Sequence, residues 1–117
     1  MVRPEQSALA RLKGLIVPVL VPFGDSGAVD EDAFARHLDF LAERGVGRIM
    51  VNGTTGEFFS LLPEERRRVL EWACLRFGGL VVHHVGGLGL AQNLAEIRWA
   101  NELGAAAVAA LPPCYPA

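Results

Sequence analysis

Two hydrophobic periods alternate along this chain, and that alternation limits its possible folds more than any other feature. Four short runs are apolar at nearly every position: Leu15–Val21 ("LIVPVLV"), Arg48–Val51 ("RIMV"), Leu80–Val85 ("LVVHHV") and Ala105–Leu111 ("AAAVAAL"). Uninterrupted runs of this length suit strands covered on both faces. Pro18 in the first run suits a bulge or a strand end, and the alanines of the fourth also fit a helix.

The segments between these runs have helical spacing. In the first, Phe34, Leu38 and Leu41 recur at i, i+4, i+7. Asp30 is placed to cap this helix, Glu31 and Asp32 favour its positive end, and Gly45 stops it. Pro63 opens a second helix at a position where its missing N–H costs nothing. Glu64 and Glu65 occupy its first turn, and Val69, Trp72, Ala73 and Phe77 share an inward face. In the third, Leu90, Leu94, Ile97 and Asn101 recur at helical spacing and Gly104 closes the helix. Residues 1–13 read as a polar tail or a short helix.

The order is therefore strand, helix, strand, helix, strand, helix, strand, an α/β pattern repeating roughly every 30 residues, the length of a βαβ unit. Two architectures fit it. One is a small doubly wound sheet. The other is the N-terminal half, about four βα units, of a (β/α)8 TIM barrel, which needs about 250 residues when complete.

Composition narrows the function classes. With 117 residues, 51% of them apolar, and a net charge of −2, the chain lacks the basic excess of a nucleic-acid surface and the polarity of a disordered segment. No apolar run approaches the roughly 20 residues that span a bilayer. Residues 1–13 lack the apolar core of a secretory signal. Cys74 and Cys114 match neither a metal spacing nor a disulfide framework. The expectation is a cytoplasmic protein with no metal, no nucleic-acid partner and no membrane partner.

In both architectures the chemistry gathers where strands end at their C-termini. Three segments qualify: Asn52–Glu57, Gly86–Gly89 and Pro112–Tyr115. In the first, "GTTG" combines backbone N–H groups left uncovered by glycine with the hydroxyls of Thr54 and Thr55, a set suited to a small anion such as a carboxylate. A hydroxyl both donates and accepts, so a threonine there can also pass a proton. The alternative is a tight turn whose hydroxyls bond their own backbone. "GGLGLAQ" fails as a dinucleotide fingerprint, because Gln92 stands where the third glycine belongs, and it has no Gly-Lys-Ser/Thr of a P-loop. His83 and His84 are adjacent in a strand, so they point to opposite faces and cannot chelate one metal together. His37 reads as a surface or core filler, Arg66, Arg67 and Arg68 as a solvated helix face, and Cys74 as a buried apolar residue.

The stretches "GLIVPVLVPF", "VNGTTGEFFSLLPEER", "HVGGLGLAQNLAEI" and "PPCY" resemble, in order and spacing, the dihydrodipicolinate synthase / N-acetylneuraminate lyase family. Its members are pyruvate-dependent class I aldolases built as (β/α)8 barrels. "VNGTTG" and "VGGL" are also similar to the 2-keto-3-deoxygluconate aldolase branch, and "GEFFSL" to related sugar-acid dehydratases. The resemblance implies that residues 14–117 are the N-terminal part of a TIM-barrel domain, truncated after the fourth strand. It implies a carbon–carbon lyase acting on pyruvate or another 2-keto acid through a Schiff base, with no separate cofactor, as a homodimer or homotetramer. Gly53, Thr54 and Thr55 would bind substrate, with Thr55 on the carboxylate, and Thr54 with Tyr115 would form a proton relay. Three positions depart from the pattern: Val21 for a threonine, Leu62 for a capping Ser or Thr, and Cys114 for a tyrosine. The Schiff-base lysine of the family lies on a later strand, and Lys13 is the sole lysine here. As it stands, the chain is expected to be inactive. The competing reading is a non-catalytic doubly wound or half-barrel binding module.

Overall fold

The computed structural model describes residues 9–86 and 89–112. After helical residues 9–12 the elements run β1 (Val17–Pro18), α1 (Glu31–Glu43), β2 (Arg48–Val51), a short 3₁₀ turn (Phe58–Ser60), α2 (Pro63–Arg76), β3 (Leu80–Gly86), α3 (Leu90–Leu103) and β4 (Ala107–Leu111). The sheet order is β1-β2-β3-β4. Every pair is parallel, with Val17 beside Ile49, Val51 beside His83 and Gly86 beside Leu111.

That order decides between the two architectures. A doubly wound sheet reverses its strand order at a switch point and carries helices on both faces. Here each strand pairs with the next in sequence, and residues from all three helices enter a single core with Ile49, Val51 and Val81 of the sheet. The other face, with Pro18, Met50 and His84, lines a hollow, as the inner wall of a barrel does.

Local sequence explains the elements. The Asp30 carboxylate accepts from the Ala33 N–H at 3.0 Å, and Phe34, Leu38 and Leu41 are buried on α1. Gly45, at φ +83°, ends that helix. On α2, Pro63 takes the first position and the Glu65 carboxylate accepts from the Leu62 N–H at 2.9 Å. Leu62 has no side-chain acceptor to return, so only half of a capping box forms, and a reciprocal hydroxyl would be worth about 1 kcal/mol.

Several expectations change. The first strand is two residues long rather than seven. Pro18 lies in it at no cost, because Val19 N–H donates to the Met50 carbonyl at 3.0 Å and the N–H missing at Pro18 would point to the open edge. The fourth begins at Ala107 rather than Ala105. On α3 the leucine stripe does not face the core: Leu90, Leu94 and Ile97 are 75%, 45% and 41% exposed, and the buried positions are Glu96 and Ala100. Cys74 is half-buried. Arg66 is buried, not solvated. No helix among the described residues is long and apolar enough to cross a membrane.

Candidate active site at the end of β2

The chain leaves β2 at Val51 and at once enters an unusual turn. Asn52 (φ +61°) and Glu57 (φ +57°) are both left-handed, the only non-glycine residues of the described chain in that region. Each such residue costs on the order of 1–3 kcal/mol and persists only where its surroundings hold it. Between them the Gly53 carbonyl accepts from Gly56 N–H (3.1 Å) and Phe58 N–H (3.3 Å), and the Thr54 carbonyl accepts from Glu57 N–H (3.0 Å). This closes the turn with carbonyls of Gly53 and Thr54 alone. The N–H groups of Thr54 and Thr55 donate to no described acceptor, and both side chains are exposed. A Cβ on Gly56 would stand 3.2 Å from the Val19 carbonyl, so glycine lets the turn press onto the chain leaving β1.

Beneath the turn lies a concavity of about 340 Å³, lined by Pro18, Met50, Gly53, His84 and residues 109–111. Its floor is the inner face of the sheet. Thr54 and Thr55 stand at its rim. β3 and β4 approach so closely beside it that a Cβ on Gly86 would collide with the Leu111 backbone. A second concavity, between α1 and α2, lies on the helical layer away from the strand ends. Its Arg76 is already paired with Asp39.

The two histidines do face opposite sides of the sheet. His84 lines the concavity, with its ring centroid 5.2 Å from that of the buried Phe58. Its Nδ1 lies 2.9 Å from the Asn52 carbonyl, to which it donates. Burial lowers its pKa, partly offset by that hydrogen bond. His83 lies in the helical layer, wholly buried. Asn52 Nδ2 donates to its Nδ1 at 3.3 Å and to the Arg66 carbonyl at 2.9 Å. The ring proton is therefore on Nε2, which faces Glu96 Oε1 at 3.2 Å, off the ideal hydrogen-bond line. Glu96 Oε2 accepts from Arg66 Nε, Arg66 Nη2 and Gln92 Nε2, each at 2.9 Å. Arg66 Nη1 donates to the Leu61 carbonyl at 2.8 Å. Burial pushes the Glu96 carboxyl up, but the hydrogen bonds from His83, Arg66 and Gln92 and the charge of Arg66 outweigh it, and its pKa is lowered.

Of the residues singled out in sequence, Gly53, Thr54 and Thr55 come together at one rim. Tyr115, Cys114 and Gly87 lie outside the described residues. Lys13 is exposed and precedes β1, at the opposite end of the sheet from the turn. No group of three potential metal ligands occurs among the described residues. Glu96 escaped the sequence reading, Asn52 entered it only as the start of the turn, and Arg66 only as part of a solvated helix face. The available signal was a lone carboxylate in the inward register of α3, invisible without knowing which face of that helix turns inward.

A sequentially ordered parallel sheet, helices on its outer face and a hollow at the strands' C-terminal ends define part of a (β/α)8 barrel. The sequence pattern of the Dihydrodipicolinate synthetase family matches residues 11–117, and the chain belongs to that family. It is 35% identical over 109 residues to the N-acetylneuraminate lyase of Gallus gallus, covering 90% of this chain and 35% of that one. The crystal structure of dihydrodipicolinate synthase from Aquifex aeolicus superposes with a TM-score of 0.80 at 32% identity, covering 85% of this chain and 34% of the other. YagE, a prophage protein of the dihydrodipicolinic acid synthase family from E. coli K12 solved in complex with pyruvate, superposes with a TM-score of 0.84 at 26% identity, covering 91% and 37%. The chain thus spans about a third of the length of these relatives.

Proposed function

We propose that this chain is the N-terminal part of a cytoplasmic, homo-oligomeric class I aldolase, a carbon–carbon lyase that holds pyruvate or another 2-keto acid as a Schiff base. The observation that carries this reading is the Gly53–Gly56 turn, whose unused N–H groups and two threonine hydroxyls crown a hollow at the end of a barrel strand. Family membership and the pyruvate complex of YagE support it. Thr55 binds the substrate carboxylate by hydroxyl and N–H. Thr54 and Tyr115 relay the protons that imine formation and carbon–carbon bond making both move.

The nucleophile is a lysine outside residues 1–117, because Lys13 is at the far end of the sheet. In the imine step the amine attacks the keto carbon and water leaves. Borohydride then delivers hydride to the imine carbon and leaves a stable secondary amine. The complete gene product, treated with pyruvate and borohydride, is expected to carry the adduct on a lysine past Ala117, while the 117-residue chain carries none. An adduct on Lys13, or none on the complete product, would overturn the proposal. The absence of any lysine within residues 14–117 favours, as second reading, a non-catalytic half-barrel module. The same labelling separates the two.

A further inference from the structure

The buried polar chain behind the turn is more than its packing requires. Moving a guanidinium and a carboxylate out of water costs several kcal/mol per ion, and apolar side chains of similar volume would fill the space between α2, α3 and β3 at no such cost. Its connectivity points to what it does. Arg66 and Gln92 occupy Glu96 Oε2, which leaves Oε1 for His83. With Nε2–H turned to Oε1, His83 presents an unprotonated Nδ1 to Asn52 Nδ2. The second Nδ2 hydrogen goes to the Arg66 carbonyl. From the other face of the sheet, His84 Nδ1 holds the Asn52 carbonyl. A left-handed asparagine, fully buried and immediately before Gly53, is thus gripped at its side chain and at its backbone.

We infer that Glu96 and His83, with Arg66, are positioning residues that act through Asn52: by fixing the His83 tautomer they lock the Asn52 amide, and the locked Asn52 sets the approach of the Thr54–Thr55 turn to its ligand. The inference rests on the reading of that turn as a 2-keto acid site. A carboxylate that fixes the orientation and tautomer of a histidine acting on a third group is a familiar second layer around functional sites. Here the third group is a strained backbone residue. Reversing the tautomer would set the His83 Nδ1–H against the Asn52 Nδ2–H. Flipping the Asn52 amide would set its oxygen against the Arg66 carbonyl. Either change releases the residue that starts the turn.

The test uses the complete gene product, imidazole nitrogen chemical shifts for the tautomer of His83, and the equilibrium binding of pyruvate. Wild type is expected to carry the His83 proton on Nε2. Glu96→Gln can offer an amide N–H to Nε2 and is expected to move that proton to Nδ1, while weakening pyruvate binding about tenfold, which is roughly 1.4 kcal/mol. Glu96→Gln also leaves Arg66 without its charge partner, so Asn52→Gly serves as the second variant: glycine accepts the left-handed backbone, keeps the carbonyl that His84 holds and removes the side-chain grip. It is expected to weaken binding to a similar degree, with a lowered melting temperature because the Arg66 carbonyl and His83 Nδ1 lose their donor, and the double variant to bind pyruvate no worse than Asn52→Gly alone. A proton on Nδ1 in wild type, or Asn52→Gly binding pyruvate as wild type does, overturns the inference. A wild-type protein that binds no 2-keto acid overturns instead the reading of the site, and the tautomer measurement, which needs no ligand, keeps the two failures apart.

Discussion

Thr54 and Thr55 are adjacent, exposed and chemically alike, yet they should fail differently. Thr55→Val keeps the shape and removes the hydroxyl proposed to donate to the substrate carboxylate. In the complete gene product it is expected to weaken pyruvate binding by about 1.5–3 kcal/mol, the worth of one hydrogen bond to a charged group. Thr54→Val should leave binding near normal and slow turnover, since a relay acts in the transition state. Tyr115→Phe should behave like Thr54→Val, and the double variant should cost little more than either. Steady-state kinetics on the set decides, and additive losses would separate the two residues. His84 adds a pH dependence at the same scale. Its pKa is lowered from an ordinary 6.5 by burial, so the unfolded chain takes up a proton that the folded site resists. Stability is complete above pH 6.5 and falls as the pH drops below it. The lowered Glu96 carboxyl adds a loss of the same sign below its ordinary 4.5. A melting series from about pH 8 to about pH 4 is expected to decline in that direction, and His84→Gln should reduce the upper part of the decline, the remainder belonging to His37, whose pKa burial also lowers.

At the scale of elements, α2 and α3 are joined to each other and to β3 by the pair of Arg66 and Glu96. Breaking a buried pair leaves one charge uncompensated, which costs about 3–5 kcal/mol, whereas replacing both partners with apolar groups is often neutral. Arg66→Ala is therefore expected to lower the denaturant midpoint strongly, and Arg66→Met with Glu96→Leu to recover most of it while losing the control over His83. Equal losses in the single and double variants would assign the effect to packing. The exposed pairs Arg67–Glu102 and Arg76–Asp39 offer the contrast. Such pairs are screened by solvent and contribute little, so Arg67→Ala, which loses in addition only its contact with the Trp99 ring, should cost far less than Arg66→Ala in the same assay.

At the scale of the molecule, the sheet has two edges and an uncovered inner face. Among the described residues β1 and β4 each pair on one side only, and Leu15, Leu20, Leu90, Leu94, Val108 and Leu111 are exposed. Unpaired edges and contiguous apolar surface drive association. The 117-residue chain is expected to self-associate, and sedimentation velocity over a concentration series checks it. A sharply melting monomer at all concentrations would mean that the half-barrel is sufficient in itself.

The apolar runs, the Asp30 cap, Pro63, Gly45 and Gly104 made the element order and most of its boundaries legible from sequence, because each acts on its own few residues of backbone. The Gly-Thr-Thr-Gly turn was legible for the same reason, since its donors are neighbours in the chain. Which architecture those elements build was legible only through the family resemblance of the motifs and not from the element order, because strand order is a relation between residues some 30 positions apart, and Val51 meets His83 only when the sheet forms. The inward turn of α3 was also out of reach: its leucines announced one face, and packing buried Glu96 on another. The charge run at Arg66 looked solvated because nothing local distinguishes it from Arg67 and Arg68. Only the tertiary structure brings Glu96 and His83 to it, and a buried charge holds its place through partners that the chain supplies from far away.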